Sequence, residues 1–246
     1  MYQFFVEPDQ IQGNRIVIRG NDYNHIKNVL RMKIGEELAV SNGIDSKEYR
    51  CGIEAFTEDE VICSLRFIKE DGLELPSKIY LFQGLPKSDK MELIIQKAVE
   101  LGAFEIVPVA CKRCVMKLDA KKEKSKIARW QAISEAAAKQ SKRRIIPQVH
   151  EVMSIRDAIA YAKDLDLCLF PYELAEDMAH TRQLIEGIQP GQSIAVFIGP
   201  EGGFEEAEIE LAKEAGMYPI TLGKRILRTE TAGFTVLSWL MYHLEA

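Results

Sequence analysis

Residues 193–204 read SIAVFIGPEGGF, an apolar run followed at once by a loop rich in glycine. A short, continuous apolar run bounded by turn residues is typical of a strand that is buried on both faces of a parallel sheet. Glycines in the loop allow close approach to the backbone, and ligands of open α/β sheets bind outside the carboxyl ends of the strands. The stretch therefore predicts a buried strand whose loop contributes to a binding site. An ordinary strand-to-helix turn, which also uses glycine, is the alternative.

Strands and helices alternate on both sides of this stretch, from residue 78 onward. The patterns predict strands at 79–82, 104–110, 165–170, 193–198 and 219–222. They predict helices at 125–140, 154–162, 205–215 and 230–244, and an earlier one that Ser88 caps and Gly102 ends. Strands that alternate with crossover helices predict an α/β fold, with a mainly parallel sheet covered by helices on both faces.

Residues 1–72 differ from the rest, because short β-rich runs and turns dominate there. Strands are predicted at 15–18, 37–40, 49–53 and 61–67. One helical patch at 22–30 interrupts them and places Ile26, Val29 and Leu30 on one face. We therefore predict a small barrel-like domain at 1–72 and a second domain at 73–246, with the linker within 70–77.

Two more loops follow predicted strands, at 171–173 and at 223–232, where the chain reads GKRILRTETA. Apolar residues between cations suit a ligand that is partly flat and apolar and partly anionic. An ion pair between Arg228 and Glu230 across a helix start is an equally good interpretation. The glycine-rich loop at 199–203 matches neither G-x-G-x-x-G nor G-x-x-x-x-G-K-[ST], which argues against a dinucleotide fold or an NTPase of known type.

The composition is that of a folded globular protein: 246 residues, 47% hydrophobic and 28% charged, with a net charge of −5. No apolar run approaches the ~18 residues that span a bilayer, and the N-terminus lacks the basic start of a signal peptide. Five cysteines, an odd number, fit a reducing cytoplasm better than a disulfide scaffold. We expect a cytoplasmic protein with no membrane partner.

Positive charge is concentrated between Lys112 and Arg144, where twelve Lys or Arg residues accompany three acidic ones. The stretch has a net charge of +9 and the remainder −14. Such a concentration in an acidic protein is typical of a site for a polyanion. A solvated helix face that carries lysines is the alternative, and charge alone does not decide between them.

Metal and thiol chemistry find little support in the sequence. Cys111 and Cys114 form a C-x-x-C pair, but no second Cys or His pair has matching spacing, so we expect no metal. A thioredoxin-like role would place such a pair at the start of a helix at a sheet edge, and we do not favour that role for Cys111 and Cys114. No G-x-S-x-G is present, which removes the commonest hydrolase signature.

The sequence resembles the RsmE family over its whole length. GPEGGF at 199–204 and LGKRILRTETA at 222–232 carry the resemblance and are highly specific together. HIKNVLRMKIG at 25–35, KSDKME at 87–92, KAVELG at 97–102 and blocks within 129–147 add to it. One departure is minor: many relatives carry His-His where this chain has Asn24-His25. Members of the family are SPOUT-class methyltransferases that act on N3 of a uridine in the decoding region of 16S ribosomal RNA.

The resemblance implies an N-terminal PUA-like β-barrel that docks RNA, a SPOUT trefoil-knotted sheet and S-adenosylmethionine as the cofactor. It also implies a homodimer, formed by the helix around Met91 and the terminal helix, with 16S rRNA of the small subunit as the partner. The implied cofactor-binding residues are Pro171, Tyr172, Glu173, Ile198, Gly199, Pro200, Gly202, Leu222, Gly223, Ile226, Leu227 and Thr231. The expected RNA contacts are Arg31, Lys33, Lys87, Arg113, Lys142, Arg143, Arg144 and Arg225.

The implied reaction aligns N3 behind the S–CH3 bond and favours loss of the imide proton, because neutral N3 is a poor nucleophile. No metal is needed, since the methyl carbon of a sulfonium is already electrophilic. We predict two catalytic residues: Arg228, which stabilises the developing uracil anion or fixes its phosphate, and Glu201, a weaker candidate for proton relay. A plain acid beside a helix N-terminus is the stronger interpretation of Glu201. A SPOUT enzyme acting on tRNA and a non-catalytic RNA-binding assembly factor remain the alternatives.

Overall fold

The computed structural model describes residues 1–70, 72–173, 175 and 177–246. Contacts divide the chain into two compact units, Met1–Glu74 with Ala138–Ile146, and Leu75–Ala137 with Pro147–Ala246. Asp71, part of the predicted linker, lies outside the described residues. The segment Ala138–Ile146 joins the first unit although it lies far along the chain, and no sequence pattern indicated this.

The first unit contains a six-stranded mixed sheet in the order β1-β4-β5-β6-β3-β2. The strands are β1 (Gln3–Phe5), β2 (Ile11–Gln12), β3 (Arg15–Arg19), β4 (Glu37–Ser41), β5 (Glu48–Phe56) and β6 (Glu60–Lys69). β1 pairs with β4 in parallel and the other pairs are antiparallel. Two register shifts in β5 bend the strand, which favours a curled sheet around one apolar core. The four predicted strands are confirmed, whereas β1 and β2 are too short to show a period.

The predicted helix at 22–30 is a helix followed by a wider turn. α1 (Gly20–Asn24) leads into a π-helical turn at His25–Val29. Ile26 is buried but Val29 is 65% exposed, so the prediction that Val29 shares one face with Ile26 is wrong. A π-helical turn has more residues per turn than an α-helix, which rotates Val29 away from the apolar face.

The second unit contains a seven-stranded sheet in which every pair is parallel. Its strands are β7 (Lys78–Gly84), β8 (Glu105–Ala110), β9 (Gln148–Val149), β10 (Met153–Ser154), β11 (Leu167–Pro171), β12 (Ser193–Ile198) and β13 (Tyr218–Ile220). The main order is β10-β8-β7-β12-β11-β13, and β9 pairs with β8. β12, which contains the apolar run SIAVFI, lies between β7 and β11 and is almost wholly buried, as predicted.

Helices cover both faces of this sheet. They are α2 (Lys90–Glu100), α3 (Ala120–Ser141), α4 (Ile155–Ala162), α5 (Met178–Glu186), α6 (Glu206–Glu214) and α7 (Thr229–Glu245). Phe197 lines a small apolar cavity together with Ile159 of α4 and Ile209 of α6. A Cβ on Gly233 of α7 would lie 3.7 Å from Cγ1 of the adjacent Ile198. Because neighbouring residues of a strand face opposite sides, α7 lies across the sheet from α4 and α6.

Of the predicted helix N-caps at Ser154 and at Ser88, one is correct and one is wrong. Ser154 caps α4 as predicted, and its side chain accepts a hydrogen bond from the Asp157 amide. α2 begins at Lys90 with Asp89 as its N-cap, so the predicted cap at Ser88 is wrong. Ser88 has a φ of 57°, a left-handed conformation outside the helix.

Within the described residues, no helix combines the length and apolarity needed to cross a membrane.

Glu105, at the amino end of β8, is expected to make the stability of this unit sensitive to acid. Its carboxylate accepts a hydrogen bond from the Tyr161 hydroxyl and pairs with the His150 ring, both at 2.8 Å. Burial alone would raise the pKa of Glu105, but the bonds from His150 and Tyr161 outweigh burial and hold this pKa below its usual value.

We expect Glu105→Gln to flatten the acid limb of the stability curve. A depressed pKa contributes stability above the unfolded value of about 4.3, which is lost as the pH falls through the lower folded value. Thermal unfolding from pH 7 to pH 3 should therefore lower Tm more steeply in the wild type than in the variant. The exposed Glu58→Gln serves as the control and should follow the wild type. Equal steepness in the wild type and Glu105→Gln would contradict the expected role of Glu105.

Candidate cofactor site

Three loops meet at the carboxyl edge of the parallel sheet. Residues 171–173 end and follow β11, residues 199–204 follow β12, and residues 221–228 follow β13. β12, β11 and β13 are adjacent and run in the same direction, so their carboxyl ends lie together. The loops line a cavity of about 590 Å³, a volume typical of small-molecule sites.

Almost every predicted cofactor-binding residue lines this cavity. These residues are Pro171, Tyr172, Glu173, Ile198, Gly199, Pro200, Gly202, Leu222, Gly223, Ile226 and Leu227. Both predicted catalytic residues, Arg228 and Glu201, line it as well. Thr231 is absent from the described lining residues and is exposed in the first turn of α7.

Close backbone packing shapes one wall of the cavity. A Cβ on Gly84, at the end of β7, would lie 2.7 Å from both N and Cδ of Pro200. A Cβ on Gly199 would lie 3.3 Å from the backbone of Gly203. Gly223 has a φ of 100°, which residues with a side chain rarely adopt. Glycine at these positions lets the loops pack tightly against the sheet while their backbone faces the cavity.

A buried hydrogen-bond chain joins α7 to the glycine-rich loop. The Thr229 hydroxyl donates to the carbonyl oxygen of Gly199 at 2.6 Å. Nε2 of Gln83, a fully buried residue of β7, donates to the Thr229 hydroxyl at 2.9 Å. Thr229 and Gln83 were not predicted as site residues. The threonine at the start of a helix was the available signal, but its partner Gln83 lies 146 positions away in the chain.

Glu201 is already engaged by its surroundings. Its two carboxylate oxygens accept hydrogen bonds from the Lys87 amide at 3.1 and 3.2 Å. The Lys90 ammonium lies 3.2 Å from Oε1 of Glu201. Burial would raise the pKa of Glu201, but the backbone N–H groups of Glu201 and Lys87, together with the Lys90 ammonium, hold this pKa below its usual value. An ionised carboxylate stabilised in this way is a weak base, so the geometry favours a structural role of Glu201, in holding its loop, over proton relay.

Arg228 presents a cation to the cavity at the N-cap of α7. It is exposed, and Ile226 beside it is 87% exposed. The alternative pairing of Arg228 with Glu230 is not what the structure shows, because Glu230 pairs with Lys90 at 3.2 Å. The loop therefore offers a cation and an apolar side chain together, as its sequence predicts.

The predicted RNA contacts divide into two groups. The exposed residues are Arg31, Lys33, Lys87, Arg113, Lys142 and Arg225. Among these, Arg225 lines the cavity, and Arg113 donates from Nη1 to the carbonyl oxygen of Gly202 at 3.0 Å. Arg113 therefore also contacts the glycine-rich loop.

Arg143 and Arg144 are buried, with 4% and 1% exposure, so their prediction as RNA contacts is wrong. Nε of Arg143 donates to Glu74 at 3.0 Å. Nη1 of Arg144 donates to the carbonyl oxygens of Ser46 and Lys69 at 2.9 and 3.0 Å, and Nη2 lies 3.4 Å from Glu48. Guanidinium groups held inside a fold in this way cannot reach a phosphate.

The C-x-x-C pair lies in a turn after β8. Cys111 and Cys114 are buried free thiols, and the Cys111 amide donates to the Cys114 sulfur at 3.3 Å. The turn contacts the glycine-rich loop, because Nη1 of Arg113 donates to the carbonyl oxygen of Gly202 at 3.0 Å. It also contacts α6, because the Lys112 amide donates to Glu208 at 2.7 Å. In the part of the chain that the structure describes, no three His, Cys, Asp or Glu side chains gather as metal ligands.

Matches to two protein families give the class of this chain, an RNA methyltransferase with an accessory domain. The family described as "RNA methyltransferase domain" matches residues 73–241, and the "RNA methyltransferase PUA domain" matches residues 18–66. These two matches account for the parallel sheet with its cavity and for most of the mixed sheet, respectively.

Relatives with assigned names agree with this class. Ribosomal RNA small subunit methyltransferase E of Bacillus subtilis is 37% identical, and the match covers 100% of this chain and 98% of that protein. The protein of the same name from Mesomycoplasma hyopneumoniae is 34% identical over 97% of this chain and 98% of that protein. The crystal structure of the Neisseria gonorrhoeae enzyme of that name, bound to S-adenosyl methionine, superposes with a TM-score of 0.82 at 29% identity, covering 98% of this chain and 97% of that one. The chain belongs to the RsmE family.

Proposed function

We propose that this protein is an S-adenosylmethionine-dependent methyltransferase that methylates N3 of a uridine in the decoding region of 16S ribosomal RNA. The observation that carries the proposal is the cavity at the carboxyl edge of the parallel sheet, where the GPEGGF and GKRILRTETA loops lie together. The names of the relatives support ribosomal RNA of the small subunit as the substrate, and the gonococcal complex supports the cofactor.

The lining of the cavity suits S-adenosylmethionine. Ile198, Leu222 and Leu227 would pack on the flat, apolar adenine. The backbone groups of Gly199 and Gly223 would hydrogen-bond its polar edges, because no side chain stands between them and the cavity. A site of this kind, apolar with a few convergent polar groups, is typical for a cofactor of this size.

The chain's own residues must position uracil and favour loss of its N3 proton. When bound, S-adenosylmethionine supplies an electrophilic methyl carbon. The Arg228 guanidinium stabilises the negative charge that develops on the uracil oxygens as the proton leaves N3. Glu201 holds the glycine-rich loop through the Lys87 amide and the Lys90 ammonium. It remains the weaker candidate for accepting the N3 proton.

Exposed cations supply the affinity for RNA. Arg31, Lys33, Lys87, Lys142 and Arg225 remain in the proposal as phosphate contacts, together with Arg113. Each phosphate contact releases counterions, so the logarithm of the affinity for the RNA should fall linearly with the logarithm of salt concentration. These contacts position the RNA, while recognition of the uridine itself takes place at the cavity.

Further parts of the proposal concern organisation. Residues 1–72 are the proposed PUA-like domain, to whose compact unit Ala138–Ile146 also belongs, and 73–246 the proposed methyltransferase domain. The proposed location of the protein is the cytoplasm. We include a trefoil knot, supported by the contact that brings Thr229, after edge strand β13, back to Gly199 after β12. We also include a homodimer through α2 and α7, supported by the exposed Leu93 and Tyr242 on these helices. Light scattering on the purified protein tests the dimer.

Gly84→Ala is expected to weaken S-adenosylmethionine binding about tenfold to a hundredfold, because an extra methyl group in tight packing costs about 1–3 kcal/mol and displaces the loop. The added Cβ would lie 2.7 Å from Pro200, whose ring and backbone cannot move aside independently of the loop. Calorimetric titration with the cofactor measures the effect. Gly72→Ala is the control, since its Cβ would come no closer than 3.7 Å to the backbone nitrogen of Glu74. Unchanged affinity in Gly84→Ala would contradict a cofactor site against this wall.

The experiment that tests the function maps modified nucleosides in ribosomal RNA from cells with and without the gene. Loss of one 3-methyluridine from 16S rRNA, restored by the wild-type gene and not by an Arg228→Ala copy, is the expected result. An unchanged 16S map with altered tRNA would favour the alternative tRNA enzyme. Unchanged RNA together with no calorimetric binding of S-adenosylmethionine would favour the non-catalytic assembly factor.

A further inference from the structure

Lys90 is a cation at the cavity wall that holds two carboxylates. It is the first residue of α2, and its side chain is 29% exposed. Its ammonium lies 3.2 Å from Oε1 of Glu201 and 3.2 Å from Oε2 of Glu230. Lys90 and Glu201 both line the cavity, and Glu230 follows the lining residue Thr229.

These three residues come from three separate segments of the second unit. Glu201 belongs to the glycine-rich loop after β12, and Glu230 to the first turn of α7, directly after the loop that carries Arg228. The start of α2, with Lys90, lies between them. The adjacent amide of Lys87 also donates to Glu201, so the segment before α2 holds the glycine-rich loop by two contacts.

We propose that Lys90 is a positioning residue that holds the glycine-rich loop and the start of α7 together through Glu201 and Glu230, and so keeps both cofactor-binding loops in their binding conformation. The inference rests on the proposed function for the identity of the cofactor. It assigns to Lys90 no contact with the reacting atoms.

Electrostatics explains why the cation is needed. Without the ammonium, the carboxylates of Glu201 and Glu230 would face each other across a short gap, and like charges at that range repel. Glu230 also has a second favourable interaction, because an acidic side chain in the first turn of a helix is stabilised by the helix dipole. The hydrogen bonds to Glu201 and Glu230 raise the pKa of Lys90, which is consistent with an ammonium that stays charged at neutral pH.

The contacts of Lys90 with Glu201 and Glu230, which we call the clamp, are tested by hydrogen exchange on the protein without cofactor. In Lys90→Met we expect amide exchange in residues 199–204 and in the first turn of α7 to speed up about tenfold, with β7 and β8 unchanged, because local opening is governed by local contacts. Lys97→Met is the matched control: Lys97 lies on the same helix and pairs with Glu100 at 2.7 Å, and it is not part of the cavity. Glu230→Gln removes one contact from the other side and should give a smaller increase in the same segments. Unchanged exchange in both Lys90→Met and Glu230→Gln would overturn the inference.

Cofactor titration separates the inference from the proposed function. We expect Lys90→Met to raise the Kd for S-adenosylmethionine about tenfold and to leave kcat at saturating cofactor within about threefold of wild type, as loss of positioning rather than of chemistry predicts. Lys90→Arg, which keeps the charge, should restore most of the affinity. If the wild-type protein fails to bind S-adenosylmethionine, the proposed function is overturned. The exchange data still decide whether Lys90 holds the two loops together. Wild-type affinity in Lys90→Met would overturn the role of the clamp alone.

Discussion

Arg228→Ala should lower kcat for methyl transfer to small-subunit ribosomal RNA by about 10²–10³, the usual effect of removing one group that stabilises developing charge. Arg228 is exposed in the cavity at the N-cap of α7, and the carboxylate that could have neutralised it, Glu230, pairs with Lys90 instead. Its guanidinium is therefore available to a substrate that becomes anionic. The affinity for S-adenosylmethionine should change little, because the cofactor is held by the glycine loops and apolar residues of the cavity.

Single-turnover methylation of purified small subunits, with tritiated cofactor, measures this effect together with a parallel calorimetric titration. Arg156→Ala is a suitable control, since Arg156 is an exposed arginine on α4, on the opposite face of the sheet from α7. Arg228→Lys keeps the charge but loses the planar fork of donors, and it should fall between the wild type and Arg228→Ala. A wild-type rate in Arg228→Ala would remove Arg228 from the chemistry.

Arg144→Ala should destabilise the first unit by about 3–5 kcal/mol, the range found when one partner of a buried ion pair is removed. The Arg144 side chain is 1% exposed and binds two backbone carbonyls, those of Ser46 and Lys69. Removing it leaves these buried acceptors unsatisfied and leaves Glu48 with Arg50 as its remaining ion-pair partner. It also releases the segment Ala138–Ile146, which reaches this unit from far along the chain.

Hydrogen exchange in β5 and β6 under mild urea measures the stability of the first unit separately from the second. Lys142→Ala is the matched control, because Lys142 lies two residues away and is exposed. We expect Lys142→Ala to keep the exchange of the wild type and to lower RNA affinity with a reduced salt slope. Unchanged exchange in Arg144→Ala, with RNA affinity reduced, would restore the original assignment of Arg144 to RNA.

The predicted secondary structure is correct where short-range signals, such as an apolar run or a helix cap, determine it. β12 occupies residues 193–198 as its apolar run predicts, and Ser154 caps α4 through the Asp157 amide. Local signals failed where backbone geometry or length intervened. Ser88 takes a left-handed conformation and leaves the cap to Asp89, and α5 has no counterpart among the predicted helices.

Charge patterning shows the same division. The excess of cations between Lys112 and Arg144 is evident from the sequence, but its members have different environments. Lys142 is exposed, whereas Arg143 and Arg144 beside it are buried against Glu74 and Glu48. The residues that neutralise them lie 69 and 96 positions away, so no window of sequence contains both members of either pair.

The sequence by itself determined the class of fold, the family and the three loops that line the cavity. These features depend on short-range patterns: apolar runs, glycine in loops, and the GPEGGF and LGKRILRTETA motifs. Only the tertiary structure decided that Gln83 and Thr229 join two loops, that Lys90 lies between Glu201 and Glu230, and that Arg144 belongs to a core. The physical reason is that a hydrogen bond or an ion pair depends on distance in space, and folding brings together residues far apart in the chain. Arg144 and Glu48 are separated by 96 positions, and Gln83 and Thr229 by 146.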